Sequence, residues 1–157
     1  MSLFLGIDPG ASGGIAWLQP NEPHMKGLDR READKMPDTE RDTWELIRRW
    51  RDSATLAVIE AVHSMPKQGV ASSFKFGRSY GFLRGCLIAS GIPFEEVTPQ
   101  RWQKELGCLS RGDKNVTKAR AQQLFPSLKV THATADALLL AEYARRLHVS
   151  RNQQPTP

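Results

Sequence analysis

Short apolar runs alternate along the chain with longer segments in which apolar residues recur every three or four positions. Two apolar runs within residues 3–18 flank a turn tripeptide at 8–10, so they predict a β-hairpin at the start of the domain. Short runs at 56–60 and 93–97 predict two more strands. The polar stretch 19–37 contains three prolines and predicts a loop or a weak edge strand.

Helical periodicity accounts for most of the remaining chain, with Thr98 expected to cap the helix that starts at Pro99. Strands come first and then alternate with helices, which predicts an α/β three-layer domain with a mixed sheet. We expect one domain over 1–148 and a flexible polar tail over 149–157. The predicted helices cover 38–51, 70–90, a segment from Pro99 onwards, 114–125 and 133–148.

Two of the predicted strands end in a carboxylate, Asp8 in the first and Glu60 in a later one. A turn sequence alone explains Asp8, since Asp-Pro-Gly is an ordinary turn tripeptide. However, a buried carboxylate is costly unless a cation or hydrogen-bond donors meet it. If the two strands are parallel neighbours, both acids lie at the sheet edge where α/β proteins place their ligands.

A second pair of polar side chains, His132 and Asp136, is four residues apart and shares one face of the last predicted helix. An acid near a helix N-terminus is also favoured by the helix dipole, and a histidine there is often a cap or a surface residue. Together with Asp8 and Glu60, they predict a site for Mg²⁺ or Mn²⁺, which prefer carboxylate oxygens. Two such ions roughly 3.5–4 Å apart can clamp the attacking and leaving oxygens of a phosphodiester.

Charge is distributed unevenly between the two parts of the chain. Residues 1–60 hold eleven acids and eight bases, a net of −3, whereas residues 61–157 hold six acids and fourteen bases, a net of +8. A basic surface favours a polyanionic partner, most often nucleic acid, although basic residues also keep small proteins soluble. The bases that point to nucleic acid include Lys67, Lys75, Arg78, Lys104, Lys114 and Lys118.

Composition narrows the setting further. No stretch approaches the roughly 20 apolar residues of a membrane span, so we expect no membrane association. Two cysteines neither require a disulfide nor make a metal cluster, which favours a reducing cytoplasm.

Gly77, Gly81 and Gly85 recur every four residues in the predicted helix 70–90. Each glycine costs a helix interior roughly 1 kcal/mol relative to alanine. Their spacing makes one flat stripe where another backbone can approach closely. We expect this stripe to pack on the sheet and also to serve a dimer; a DNA contact at the helix start is the alternative.

The sequence resembles RuvC-type Holliday junction resolvases from about residue 3 to residue 146, and the order and spacing of the motifs agree. The resemblance implies a ribonuclease H-like three-layer fold, with a mixed sheet of about five strands flanked by helices. It also implies a homodimer that cleaves four-way DNA junctions with two Mg²⁺ or Mn²⁺ ions and no small-molecule cofactor, in a bacterial or phage-infected cell, and it favours a phage-type member. The matching motifs are LGIDPG at 5–10, VIEAV at 58–62, KFGRSYG at 75–81 and ADAL at 135–138.

The same resemblance implies roles for individual residues. Asp8, Glu60 and Asp136 match the catalytic metal ligands of the family. His132 is the match for a further ligand, although it lies four residues before Asp136 where the family spacing is three. The resemblance also implies nucleic-acid contacts for Lys104 and Lys114 near the active site and for His63 in the loop that probes the junction.

Three other functions remain open on sequence alone. An ATP-binding domain of the sugar kinase and actin type also opens with a strand, an Asp and glycines, but needs far more chain. A nucleic-acid-binding module without catalysis would keep the basic surface and make Asp8 and Glu60 dispensable. A related nuclease that acts on flaps, forks or RNA–DNA hybrids would share all the acids.

Overall fold

A computed structural model describes residues 2–20, 30–62, 67 and 69–153. The described residues form five strands and five helices. The strands are β1 (Leu3–Asp8), β2 (Gly14–Gln19), β3 (Arg30–Lys35), β4 (Ala54–Glu60) and β5 (Phe94–Val97). The helices are α1 (Glu40–Arg48), α2 (Val70–Ala89), α3 (Pro99–Glu105), α4 (Lys114–Leu124) and α5 (His132–Asn152). None of these helices is long and apolar enough to cross a membrane.

The strands form one mixed sheet in the order β3-β2-β1-β4-β5. The β1–β2 and β2–β3 pairs are antiparallel, and the β1–β4 and β4–β5 pairs are parallel. This confirms the predicted hairpin and the predicted mixed sheet. The uncertain segment 19–37 does contain a strand, β3, and its charged sequence suits an edge position where one side of the ladder meets water.

Alternation along β1 divides its side chains between two apolar clusters, one on each face of the sheet. Phe4 belongs to the cluster that contains residues of α3, α4 and α5, whereas Leu5 and Ile7 belong to the cluster that contains residues of α1 and α2. Because successive side chains of a strand point to opposite faces, Asp8 shares the α5 face with Phe4. The same alternation in β4 puts Glu60 on the α5 face. The sheet with helices on both faces confirms the three-layer fold.

Gly6 sets the distance between α5 and the sheet. A Cβ atom at Gly6 would lie 2.1 Å from the carbonyl oxygen of Ala137 and 2.3 Å from the amide nitrogen of Ala141. Such contacts are far closer than real Cβ atoms tolerate, so only glycine permits this approach of helix and strand backbones. The close approach brings Asp136, next to Ala137, to the end of β1.

The end of α5 and the cap of α3 differ from expectation. The last helix does not end at His148 but runs to Asn152, so residues 149–152 belong to a helix rather than to a flexible tail; residues 154–157 lie outside the described range. Thr98 occupies the N-cap position of α3, as expected, but its side chain makes no capping hydrogen bond. Pro99 starts this helix with a fixed φ and no orphaned N–H, which reduces the need for a side-chain cap.

The glycine stripe of α2 does not pack on the sheet. A Cβ atom at Gly77, Gly81 or Gly85 would meet nothing within 4 Å, so this side of the helix faces open space. The expected packing against the sheet is therefore wrong, because α2 buries the opposite side through Leu83 and Leu87. The exposed side also carries large apolar residues at its ends, namely Val70, Phe74 and Ile88.

Candidate active site

Three carboxylates meet where β1 and β4 end beneath the N-terminal part of α5. The parallel register pairs Ile7 with Ile59, so Asp8 and Glu60 follow at neighbouring positions of the same edge. Asp136 lies in the second turn of α5, and both aspartates are only 6% exposed. A capping box at Thr131 fixes where α5 starts and hence where Asp136 lies in the fold.

Electrostatic coupling shows that the three carboxylates form one group. Burial raises the pKa of Asp8 to about 7, with further contributions from the negative charges of Glu60 and Asp136. Burial also raises the pKa of Glu60, and Asp136 adds to the effect. Carboxylates that share a buried site repel one another unless positive charge is supplied, so this group requires a cation.

Trp102 of α3 is the hydrogen-bond donor to Glu60. Its indole Nε1 donates a hydrogen bond of 2.8 Å to Oε2 of Glu60, and the tryptophan side chain is fully buried. This bond opposes the rise in the pKa of Glu60 caused by burial. Sequence reasoning did not identify Trp102, although a buried tryptophan generally needs an acceptor for its N–H, and that need was the available signal.

Lys114, the first residue of α4, supplies the cation in the described structure. Its Nζ donates a hydrogen bond of 3.3 Å to Oδ2 of Asp136. Although burial alone would lower the pKa of Lys114, the nearby charges of Asp136, Asp8 and Glu60 raise it. The ammonium group therefore interacts with all three carboxylates.

The donor set suits a hard divalent cation. Oδ1 of Asp136 is buried and finds no hydrogen-bond donor in the described part of the chain. An orphaned carboxylate oxygen beside two further carboxylates offers the oxygen ligands that Mg²⁺ and Mn²⁺ prefer. Among the described residues, no three His, Cys, Asp or Glu side chains are arranged as a ready metal site. To hold a cation, the carboxylates of Asp8, Glu60 and Asp136 would therefore have to adjust their side chains around it.

His132 stands apart from this group. It is the first residue of α5 and is exposed, and no described hydrogen bond or ion pair joins it to the carboxylates. The side chain of Ala133, at the expected spacing of three residues before Asp136, is a methyl group and cannot bind a metal. A metal role for His132 stays a prediction.

A cleft of about 390 Å³ opens over Glu60 and Asp136. Lys114 lines this cleft, but Lys104 does not, and Gln103 lines it at the preceding position. Gln103 accepts hydrogen bonds from the backbone N–H and the hydroxyl of Ser110, so α3 also anchors the loop between α3 and α4. Arg111 is a further cleft residue that was not assigned from sequence, and its φ of 50° belongs to that tight loop.

A second groove, of about 570 Å³, lies beside the turn that follows Asp8. Gly10 and Ala11 of this turn form part of its lining, together with Lys75 and Arg78 of α2. Arg78 also makes an exposed ion pair with Glu40, with 3.1 Å between the charged atoms. Lys67 is exposed and Lys118 is half-buried, whereas His63 lies outside the described residues.

No protein-family model matches the sequence, and no curated protein matches it significantly. Among solved structures, Thermus thermophilus RuvC superposes with a TM-score of 0.61 at 17% identity, over 93% of this chain and 96% of that one. T. thermophilus RuvC in complex with a Holliday junction substrate gives 0.61 at 16% identity, over 98% and 97%. A fowlpox virus resolvase in complex with Holliday junction DNA gives 0.44 at 13% identity, over 93% and 99%.

The similarity to T. thermophilus RuvC spans nearly the full length of both chains and agrees with the mixed five-stranded sheet between helices. The chain therefore has the RNase H-like α/β fold of RuvC.

Proposed function

We propose that this protein is a metal-dependent endonuclease that cleaves four-way DNA junctions. The observation that carries the proposal is the cluster formed by two buried aspartates, Asp8 and Asp136, with the half-buried Glu60 beside a lysine. Three carboxylates that lie close together away from water destabilise a small domain unless positive charge compensates them, because their negative charges repel one another. The presence of all three is explained if they bind divalent cations next to a phosphodiester.

The roles of the residues follow from their positions. Mg²⁺ or Mn²⁺, two ions per site, would supply an activated water and neutralise charge on the departing 3′ oxygen. Asp8 gives up its proton before it can serve as a ligand, since burial holds its pKa at about 7. Lys114 is free to leave Asp136 and to meet a phosphate, because its side chain is mostly exposed while that of Asp136 is buried.

Branched DNA is the substrate that the surroundings of the site favour. The region from residue 61 onwards carries a net charge of +8, which favours a nucleic-acid backbone. The protein has two openings near the site: one lies over Glu60 and Asp136, and the other is lined by the turn after Asp8 and by residues of α2. The similar T. thermophilus RuvC was solved with a Holliday junction substrate, which supports a junction over a linear duplex.

A homodimer would match the two-fold symmetry of such a junction and would place one active site on each of two strands. The face that suits a second copy is the exposed stripe of α2, where Gly77, Gly81 and Gly85 let two backbones approach closely. Phe74 and Ile88, 74% and 64% exposed, would be buried at its ends.

Cleavage of a synthetic four-way junction with Mg²⁺ or Mn²⁺, compared with a linear duplex of the same sequence, tests the proposal. We expect the wild-type protein to cut the junction only with metal, and Asp8→Asn, Glu60→Gln and Asp136→Asn each to abolish cutting while junction binding persists in EDTA. Asp52→Asn, which changes an exposed carboxylate, is the matched control and should cut normally.

Other outcomes assign other functions. Equal activity of Asp8→Asn and the wild-type protein would remove the assignment to a metal-dependent nuclease. Junction binding without cutting under any metal would indicate a binding module. Faster cutting of flaps, forks or RNA–DNA hybrids would assign the protein to another nuclease class of the same fold.

A further inference from the structure

The indole of Trp102 is buried at the boundary between the apolar cluster under α5 and the carboxylate site. Its ring belongs to that apolar cluster and is fully buried, but its one polar atom reaches Oε2 of Glu60 at 2.8 Å. The two residues are 42 positions apart, so the contact depends on how α3 packs beside β4. An indole N–H can only donate, and an ionised carboxylate can only accept.

This bond restricts the Glu60 side chain. The hydrogen bond from Trp102 anchors Oε2 and limits rotation of the carboxylate, whereas Oε1 has no hydrogen-bond donor among the described residues and can face a ligand. Glu60 is only half-buried, so without the indole its three side-chain torsions would be free to turn the carboxylate towards solvent. Groups that hydrogen-bond to metal ligands orient them, and losing such a group typically costs roughly 10–100-fold in metal affinity or activity.

We propose that Trp102 is a positioning residue that orients the Glu60 carboxylate for metal binding. The inference rests on the proposed metal-dependent function. It assigns to α3 a part in the site that its sequence, which offers no carboxylate or histidine on the buried side, does not suggest.

Trp50 provides a matched control within the same chain. Its Nε1 is also buried, but it has no hydrogen-bond partner among the described residues, and its ring packs against Trp17 at 4.7 Å between centroids. A change of tryptophan to phenylalanine therefore removes an indole N–H at both positions, but removes a bond to a carboxylate only at Trp102.

The experiment measures binding of Mn²⁺ to the protein without DNA, from the electron paramagnetic resonance signal of the free ion. We expect Trp102→Phe to raise the Mn²⁺ dissociation constant by about tenfold or more, and Trp50→Phe to leave it unchanged. In the Glu60→Gln background, Trp102→Phe should have no further effect, because there is no carboxylate left to orient. Binding of the junction in EDTA should be equal in all variants.

Benzothienylalanine at position 102 keeps the size and shape of the indole while replacing the N–H with sulfur, so it covers the case in which Trp102→Phe does not fold. It should weaken Mn²⁺ binding as Trp102→Phe does. Two results would overturn the positioning role alone. One is a benzothienylalanine variant that binds Mn²⁺ as tightly as the wild-type protein, and the other is an undiminished effect of Trp102→Phe in the Glu60→Gln background. Absence of Mn²⁺ binding by the wild-type protein would overturn the proposed function as well.

Discussion

The Nζ atom of Lys114 lies 3.3 Å from Oδ2 of Asp136, so a mostly exposed lysine neutralises a buried carboxylate. The same ammonium group interacts with Asp8 and Glu60. Under the proposed function, lysine at this place has two uses: it compensates the carboxylates when no metal is bound, and it would be within reach of a phosphate of bound DNA.

Removal of this lysine charge should destabilise the metal-free protein. We expect Lys114→Met to lower the free energy of unfolding by about 1–2 kcal/mol in EDTA, because Asp136 loses its donor while it stays buried. Mn²⁺ should restore part of the loss by supplying the missing charge. Urea unfolding with and without Mn²⁺ measures both effects.

Lys104→Met is the control, since Lys104 is exposed and does not line the cleft, and it should change stability by less than about 0.5 kcal/mol. An equal loss in the two lysine variants would contradict the compensating role of Lys114.

Asp8 should make the stability of the metal-free protein depend on pH. Its pKa is about 7 in the folded state and near 3.8 in the unfolded chain, so the folded state binds the extra proton between these values. Stability is therefore lost as the pH rises through this window. Asp8→Asn removes the loss, and its stabilising effect should grow by about 2 kcal/mol from about pH 5 to about pH 8.

Urea unfolding in EDTA across this pH range measures the difference in stability between the wild-type protein and Asp8→Asn. Asp52→Asn, at an exposed position, should show no such growth. A stabilisation by Asp8→Asn that is constant with pH would argue against the raised pKa.

The contact between Gly6 and α5 should tolerate no side chain. Gly6→Ala puts a methyl group 2.1 Å from the carbonyl oxygen of Ala137, and either the helix or the strand must move. We expect a loss of about 3 kcal/mol or more in thermal or urea unfolding. Gly81→Ala, measured on the monomer at protein concentrations too low for a dimer, adds a methyl group that meets only open space and should stabilise the protein by about 1 kcal/mol. Similar effects at the two glycines would mean that α5 does not rest on β1.

If the protein dimerises through α2, a large side chain on the glycine stripe should weaken the dimer. Gly81→Leu should weaken the dimer at least tenfold in sedimentation equilibrium, because it holds the two helices apart, while the monomer stays folded. Ala119→Leu adds the same side chain to the exposed surface of α4 and should leave the dimer unchanged. A dimer that survives Gly81→Leu would place the interface elsewhere.

Local sequence patterns were sufficient to predict the strand ends that carry the site. Leu3–Asp8 and Ala54–Glu60 each finish an apolar run with an acid, and the parallel pairing of these strands confirms the expected shared edge. The hairpin, the α/β layers and the mixed sheet follow from the same patterns. The metal roles of Asp8, Glu60 and Asp136 stay predictions that the experiments above address.

Contacts between distant segments were not predictable in this way. The bond from Trp102 to Glu60 depends on the packing of α3, and a buried tryptophan fits a core as well as a site. The direction of the glycine stripe was wrongly predicted, because four-residue spacing identifies a common side of a helix but not the side that meets the sheet. Leu83 and Leu87, rather than the glycines, determine that choice.

The packing of α5 on Gly6 determines when the site can form during synthesis. Asp136 is synthesised 128 positions after Asp8 and reaches it only when α5 docks on β1. A nascent chain that ends before α5 holds two of the three carboxylates and lacks Lys114's buried partner. The proposed nuclease activity should therefore be absent from ribosome-bound fragments that end before α5, and it should begin only after α5 has been made and has folded onto β1.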